Sequence, residues 1–179
     1  MGRDKADIVV GNDTMATWVA NAMNAVFDRT VVLGRTTPVA GLEPVPDDGE
    51  AHRGPLSGLV SALAALERPI VMVAVDQPLV RPETLEHLAG LASSGVTAVC
   101  IDDTPQVTCA AYTPDLLDAA QAHLALGSSL RRLLDEIPIL RIEREVWETW
   151  GEDGRSWCSM DSQNDIVQAE RRFRLNLLG

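Results

Sequence analysis

The chain has 179 residues, 46% of them hydrophobic, and a formal net charge of −11. That length and composition suit one domain over residues 1–179 with a single core, and exclude a disordered chain or a coiled coil. The acidic balance argues against a nucleic-acid binder, though local cations or a metal can still hold an anionic small molecule. No apolar run reaches the roughly 18 residues of a membrane span, so a soluble, cytoplasmic protein without a membrane partner is expected. Cys100, Cys109 and Cys158 share no CxxC spacing and are expected to be reduced packing residues.

The elements come in an alternating order. A short extended piece at Ile8–Val10 is followed by "TMATWVANAMNAVF", apolar at helical spacing, with Asp13 or Thr14 as its N-cap. "TVVLG" is expected to be a buried strand and "LEPVPD" a second, shorter one. "GPLSGLVSALAAL" starts with Gly54 and Pro55, suited to a helix start, and continues as an Ala/Leu-rich helix. "PIVMVAVD" is apolar on both alternations, which predicts a strand covered on both faces. A helix over 82–92, strands over 96–101 and 107–112, and helices near 114–124 and 128–135 follow. "IPILRI" is a late strand, and 165–176 a terminal helix. Strands alternating with helices predict a layered, Rossmann-like α/β fold of three layers. The two consecutive strands make its mostly parallel sheet partly mixed.

In open α/β sheets ligands bind beyond the carboxyl ends of strands. "VMVAV" ends there in Asp76. That carboxylate suits Mg²⁺, which takes one or two carboxylates plus phosphate oxygens and water; it would equally cap an ordinary turn. In "VPDDGEAHRGPLSG", Asp47 closes a short strand and has the acceptor pair that matches the N1–H and amine of guanine. Gly58 would let a base or ribose approach the backbone, though a polar loop before a helix has the same pattern. His52, in the same loop, is expected to be exposed. Lys5 is a point cation for phosphate, with Arg3 beside it. In "SMDSQND", Asp161 either caps the last helix, as Ser162 also could, or reaches the crevice as a second metal ligand. No GxSxG, HExxH, Walker A or complete GxGxxG motif is present, so neither nucleophilic hydrolysis nor hydride transfer is supported.

In order, "MGRDKA", "DD…GPLSG", "VDQPLV" and "DSQNDI" resemble the nucleotidyltransferases that complete the molybdenum cofactor, and most closely the molybdenum cofactor guanylyltransferases. The family's signature is a strand followed by LAGGxSxRMGxDKA, of which this sequence shows the last third. The resemblance therefore implies that the first strand and the Gly-rich loop are missing from this chain, and that it is truncated at its N-terminus and poorly soluble or inactive alone.

The resemblance also assigns roles. It places Lys5 on the triphosphate and makes Asp47, Gly58 and Gly34 nucleotide contacts, with Gly34 standing where a polar residue is usual. Asp76 becomes the magnesium ligand, joined by Asp161, as in the D-x-D-T-P form of cytidylyl-transferring relatives. Gln106 stands in the place of a usual His, and with Ser159 it falls on the side of the cofactor substrate. The implied reaction transfers GMP from GTP to the terminal phosphate of molybdopterin, with Mg²⁺ as cofactor and release of pyrophosphate. The implied partners are GTP, molybdopterin and possible maturation proteins, acting on a monomer. A cytidylyltransferase, another small-metabolite nucleotidyltransferase and a non-catalytic nucleotide binder are the alternatives.

Overall fold

The computed structural model describes residues 5–34, 39–45 and 54–177. The N-terminal piece is shorter than expected. β1 (Val9–Val10) turns at once into β2 (Asp13–Thr14), and the two pair antiparallel. Thr14 rather than Asp13 caps α1 (Met15–Asn24), its side chain accepting from the Thr17 N–H. β3 (Val31–Leu33) and β4 (Glu43–Val45) pair in parallel as a separate two-stranded sheet.

α2 (Pro55–Leu66) begins with Pro in its first turn, where the missing N–H costs no helical bond. It leads to β5 (Ile70–Val73), then α3 (Pro82–Leu91). β6 (Val96–Ile101) and β7 (Thr104–Tyr112) form a hairpin whose turn residues, Asp102 and Asp103, both have positive φ. Two such residues make the tight turn that matches strand twist, so β7 starts three residues earlier than the apolar run indicates. A 3₁₀ turn at Pro114–Leu116, α4 (Leu117–Ala125) and α5 (Leu130–Leu134) precede β8 (Ile139–Ile142). α6 (Arg144–Trp147) and 3₁₀ turns at Glu148–Trp150 and Arg155–Trp157 carry no strong sequence signal. The chain closes with α7 (Gln163–Phe173), which starts before Asp165.

The larger sheet has the order β5-β7-β6-β8. β7 pairs antiparallel with β5 and β6, and β8 runs parallel to β6, so only β7 opposes the others. Alternate residues of β7 serve opposite faces. Ala110 and Tyr112 pack with Leu59 and Leu63 of α2 and with α4 and α5. Cys109 and Ala111 pack with Leu85 and Leu88 of α3, with Trp147 and Trp157, and against Met23 of α1. Helices thus cover both faces, giving the mixed three-layer α/β arrangement. The three cysteines are free, Cys100 and Cys109 buried and Cys158 partly so. Among the described residues no helix is long and apolar enough to cross a membrane.

Candidate active site

The third cluster of buried side chains lies at the carboxyl end of β5. Val10, Met15, Leu79, Met160, Ile166 and Phe173 gather there from segments far apart in sequence. Beyond β5 the chain stays extended, the Ala74 N–H donating to the Thr108 carbonyl at 2.7 Å. It then makes two turns, one at Val75–Asp76 closed by the Gln77 N–H on the Ala74 carbonyl at 3.1 Å, and one at Pro78–Leu79 closed by the Val80 N–H on the Gln77 carbonyl at 3.2 Å. The Met160 N–H donates to the Asp76 carbonyl at 2.8 Å, while the Met160 side chain is fully buried. That anchor places residue 161 beside residue 76.

The other side of Asp161 is fixed by the start of α7. Ser162 is the N-cap and Asp165 completes a capping box. One Asp165 oxygen accepts from the backbone N–H groups of Asp161 and Ser162, at 2.9 and 2.8 Å, and from the Ser162 hydroxyl. The capping role open to Asp161 is therefore taken by Ser162, and the Asp161 side chain is left for the crevice. Lys5 arrives on a 3₁₀ turn, Lys5–Asp7, pinned by buried Ala6 and by the Ile8 N–H on the Lys5 carbonyl. Its ammonium bonds Asp161 Oδ1 and lies 3.4 Å from Asp76 Oδ2.

Two carboxylates from distant segments thus converge on one cation. The hydrogen bond to Asp161 holds the Lys5 pKa above its ordinary value, against a small desolvation cost and with help from the Asp76 charge. The side chains of Lys5 and Asp161 are 49% and 59% exposed, and Asp76 only 22%. Solvent screens such pairs, which contribute at most about 1 kcal/mol, so the ammonium is displaceable. Among the described residues no three His, Cys, Asp or Glu side chains cluster as a metal cage. Two carboxylates without a cage fit Mg²⁺, which fills its shell with phosphate oxygens and water. Next to Asp76, Gln77 is buried, with no hydrogen-bond partner for its Oε1.

The remaining expected residues are dispersed. Ser159 is exposed, one residue before the Met160 anchor. Gln106 lies near the start of β7 and donates its side-chain amide to the Thr104 carbonyl at 3.0 Å. Gly58 sits in α2 facing β3, where a Cβ would make ordinary van der Waals contact with the Leu33 side chain at 3.5 Å. Gly34 follows β3 with φ +73° and open space around it. Asp47, with Arg3 and His52, lies outside the described residues. Periodicity gave no signal for the Met160 anchor, whose role is carried by a backbone N–H.

Comparison with known proteins identifies the fold and the family. The chain is 29% identical over 187 residues to a probable molybdenum cofactor guanylyltransferase of Natronomonas pharaonis, covering 95% of this chain and 90% of that one. Its fold matches molybdopterin-guanine dinucleotide biosynthesis protein A of Archaeoglobus fulgidus, with a TM-score of 0.81, 22% identity and coverage of 97% and 92%. It also matches 2-C-methyl-D-erythritol 4-phosphate cytidylyltransferase of Thermus thermophilus, with a TM-score of 0.65, 20% identity and coverage of 96% and 94%. The family model for the MobA-like NTP transferase domain matches residues 1–142. The chain belongs to the MobA-like NTP transferase family and is a nucleotidyltransferase.

Proposed function

We propose that this chain transfers GMP from GTP to the terminal phosphate of molybdopterin, completing a guanine dinucleotide form of the molybdenum cofactor. The observation that carries this reading is the meeting of Lys5, Asp76 and Asp161 at the carboxyl end of β5. The N. pharaonis relative, a probable molybdenum cofactor guanylyltransferase, supports the choice of substrates.

The acceptor phosphate oxygen attacks the α-phosphorus of GTP, a new P–O bond forms, and the bond to the β-phosphate bridge breaks to release pyrophosphate. Such a reaction depends on positioning and charge stabilisation and needs no covalent nucleophile. Asp76 and Asp161 would hold Mg²⁺. When bound, that ion neutralises charge on the phosphate oxygens. Lys5 gives up its carboxylate partners and places its ammonium on the triphosphate. Asp47 accepts from the guanine edge, beside Gly58 and Gly34, while Gln106 and Ser159 serve the pterin side.

The test is pyrophosphate release with molybdopterin as acceptor and GTP, ITP or CTP as donor. GTP is expected to be the best donor. ITP loses one charge-assisted hydrogen bond from its missing amine, worth roughly 1.5–3 kcal/mol in kcat/KM. Preference for CTP would make the chain a cytidylyltransferase, the reading that Asp161 shares. Binding of GTP without pyrophosphate release would make it a non-catalytic relative.

A further inference from the structure

Both members of the Lys5–Asp161 pair trace back to one helix. The start of α7 fixes Asp161 through Ser162 and Asp165. The buried stripe of α7, Ile166, Ala169 and Phe173, packs with Val10 of β1, Met15 of α1 and Leu177 behind the helix. The helix ends at Phe173 and not at the expected 176, because Arg174 takes a positive φ of 55°. The N–H groups of Arg174 and Leu175 both donate to the Glu170 carbonyl and close that end. Leu175 and Leu177 then join the buried cluster, whereas Asn176 between them is exposed.

Leu177 is held at both of its backbone groups. Its N–H donates to the Glu170 carboxylate, and its carbonyl accepts from the N–H of Gly11, in the turn between β1 and β2. Gly11 has φ +64°, a conformation that side chains disfavour, and a Cβ there would lie 3.6 Å from the Leu177 carbonyl oxygen. From α1, the Trp18 indole N–H donates to the Val10 carbonyl at 2.8 Å. The Met15 N–H donates to the Ile8 carbonyl at 2.8 Å, and the Ile8 N–H to the Lys5 carbonyl at 3.1 Å. A path of hydrogen bonds and buried side chains thus runs from Glu170 to Lys5. The Lys5 segment needs such support, since β1 and β2 have two residues each and an isolated hairpin is only marginally stable.

We infer that Glu170 is a positioning residue that acts through Leu177 and Gly11 to hold Lys5 within reach of Asp161. One helix then sets both sides of the pair, Asp161 from its first turn and Lys5 from the segment behind its last. Loss of this brace frees the ammonium from the carboxylates while leaving Asp76 and Asp161 in place. The effect on metal affinity rests on the proposed binding of Mg²⁺ and triphosphate at this site; the placement of Lys5 does not.

Lys5 is the only lysine of the 179-residue sequence, so amine acylation followed by peptide mass spectrometry reads its release directly. Glu170→Ala, and separately a chain ended after Arg174, are expected to be acylated at Lys5 at least about threefold faster than the unsubstituted chain. Glu170→Gln should stay within about twofold of it, because an amide oxygen still accepts from the Leu177 N–H. Val99→Ala in β6 lowers stability without touching the brace, and should also stay within about twofold. Without nucleotide, Glu170→Ala is expected to bind Mn²⁺ up to about fivefold more tightly, as the carboxylates lose their cation. A general loosening of the site would weaken that binding instead. Unchanged Lys5 acylation in both Glu170→Ala and the shortened chain would overturn the inference. So would equal acceleration by Glu170→Gln or Val99→Ala, or weaker Mn²⁺ binding in Glu170→Ala. Absence of Mn²⁺ binding from every chain, with acylation as expected, would refute the proposed metal role of the site and uphold the brace.

Discussion

β5 and β6 run in the same direction in one sheet, are nearly uniformly apolar, and lead into aspartates, yet they end differently. Past β6, Asp102 and Asp103 make a tight turn with side chains 91% and 100% exposed, their carboxylates 3.9 Å from Arg144 and 3.8 Å from Arg141. Past β5, Asp76 is 22% exposed, with its carbonyl tied to Met160 and its carboxylate facing Lys5. The strands differ as well. β6 has neighbours on both edges and is almost wholly buried, whereas β5 has one among the described residues and is half-buried. A strand-end carboxylate becomes a site when other segments converge on it, and an apolar strand becomes buried when both its edges are covered. Neither property belongs to the residue alone.

The sharpest way to break this comparison is to neutralise the two strand ends separately. Asp76→Asn is expected to cut pyrophosphate release about a hundredfold with the fold kept, because in the proposed reaction it removes a Mg²⁺ ligand beside the reacting phosphate. Asp102→Asn should leave the rate within about twofold, since Asn accepts the left-handed backbone of the turn. Equal losses would show that strand-end charge in general, and not convergence, supports activity.

Matched truncations test the strands themselves. Val99→Ala in β6 is expected to cost about 2–3 kcal/mol in urea unfolding, and Val71→Ala in β5 about half of that, because Val71 already borders a cavity. Equal costs would contradict the difference in packing.

A smaller effect tests the support of Asp161. Ser162→Ala should cost about 1 kcal/mol through the lost cap of α7. The Asp165 carboxyl lies below the usual carboxylate range, chiefly because the Ser162 hydroxyl donates to it and then because the Asp161 N–H does. A folded-state value below the unfolded one stabilises the protein above the unfolded value, and this is lost as pH falls through the folded value. The stability gap between the unsubstituted chain and Asp165→Asn should therefore stay level from about pH 5 to 8 and close below about pH 4. A gap that instead closes near neutral pH would mean that another group controls the cap.

The smallest change is in thiol labelling. Cys109, on β7 between these strands, has its thiol pushed up to about 12 by burial, and Cys100 is buried too, whereas Cys158 is partly exposed. Alkylation under native conditions should modify Cys158 first, with the other two protected until unfolding. Early labelling of Cys109 would show that β7 opens locally.

Much of the fold was legible because local pattern and tertiary role agree. The run at 54–66, with Gly54–Pro55 before an apolar body, could hardly form anything but α2, and the β/α alternation fixed the layers. The β6–β7 turn was harder to see because Asp102–Asp103 carries no glycine, though its backbone needs two positive φ angles. The segment 144–157 was missed because its order comes from a buried carboxylate. Glu152 accepts from the hydroxyls of Thr84 and Ser156 and from the backbone N–H groups of Asp153 and Gly154, and no periodicity encodes that.

At the site, Asp76 was visible from its place at a strand end. Lys5 and Asp161 are 156 residues apart, and only the order of motifs joined them before the structure did. β5 was expected to be covered on both faces. Helices do cover both, but among the described residues one edge of β5 carries no strand and the strand is half-buried, which no property of "PIVMVAVD" reveals.

The central claim is that the end of β5 binds a divalent cation together with a nucleoside triphosphate, in place of the Lys5 ammonium. Its most direct test is a Mn²⁺ titration by electron spin resonance, with and without GTP. The account predicts that GTP tightens Mn²⁺ binding to the unsubstituted chain, that Lys5→Gln tightens it without GTP, and that Asp76→Asn abolishes the GTP-dependent binding. Mn²⁺ and GTP binding unaltered by Asp76→Asn would contradict it.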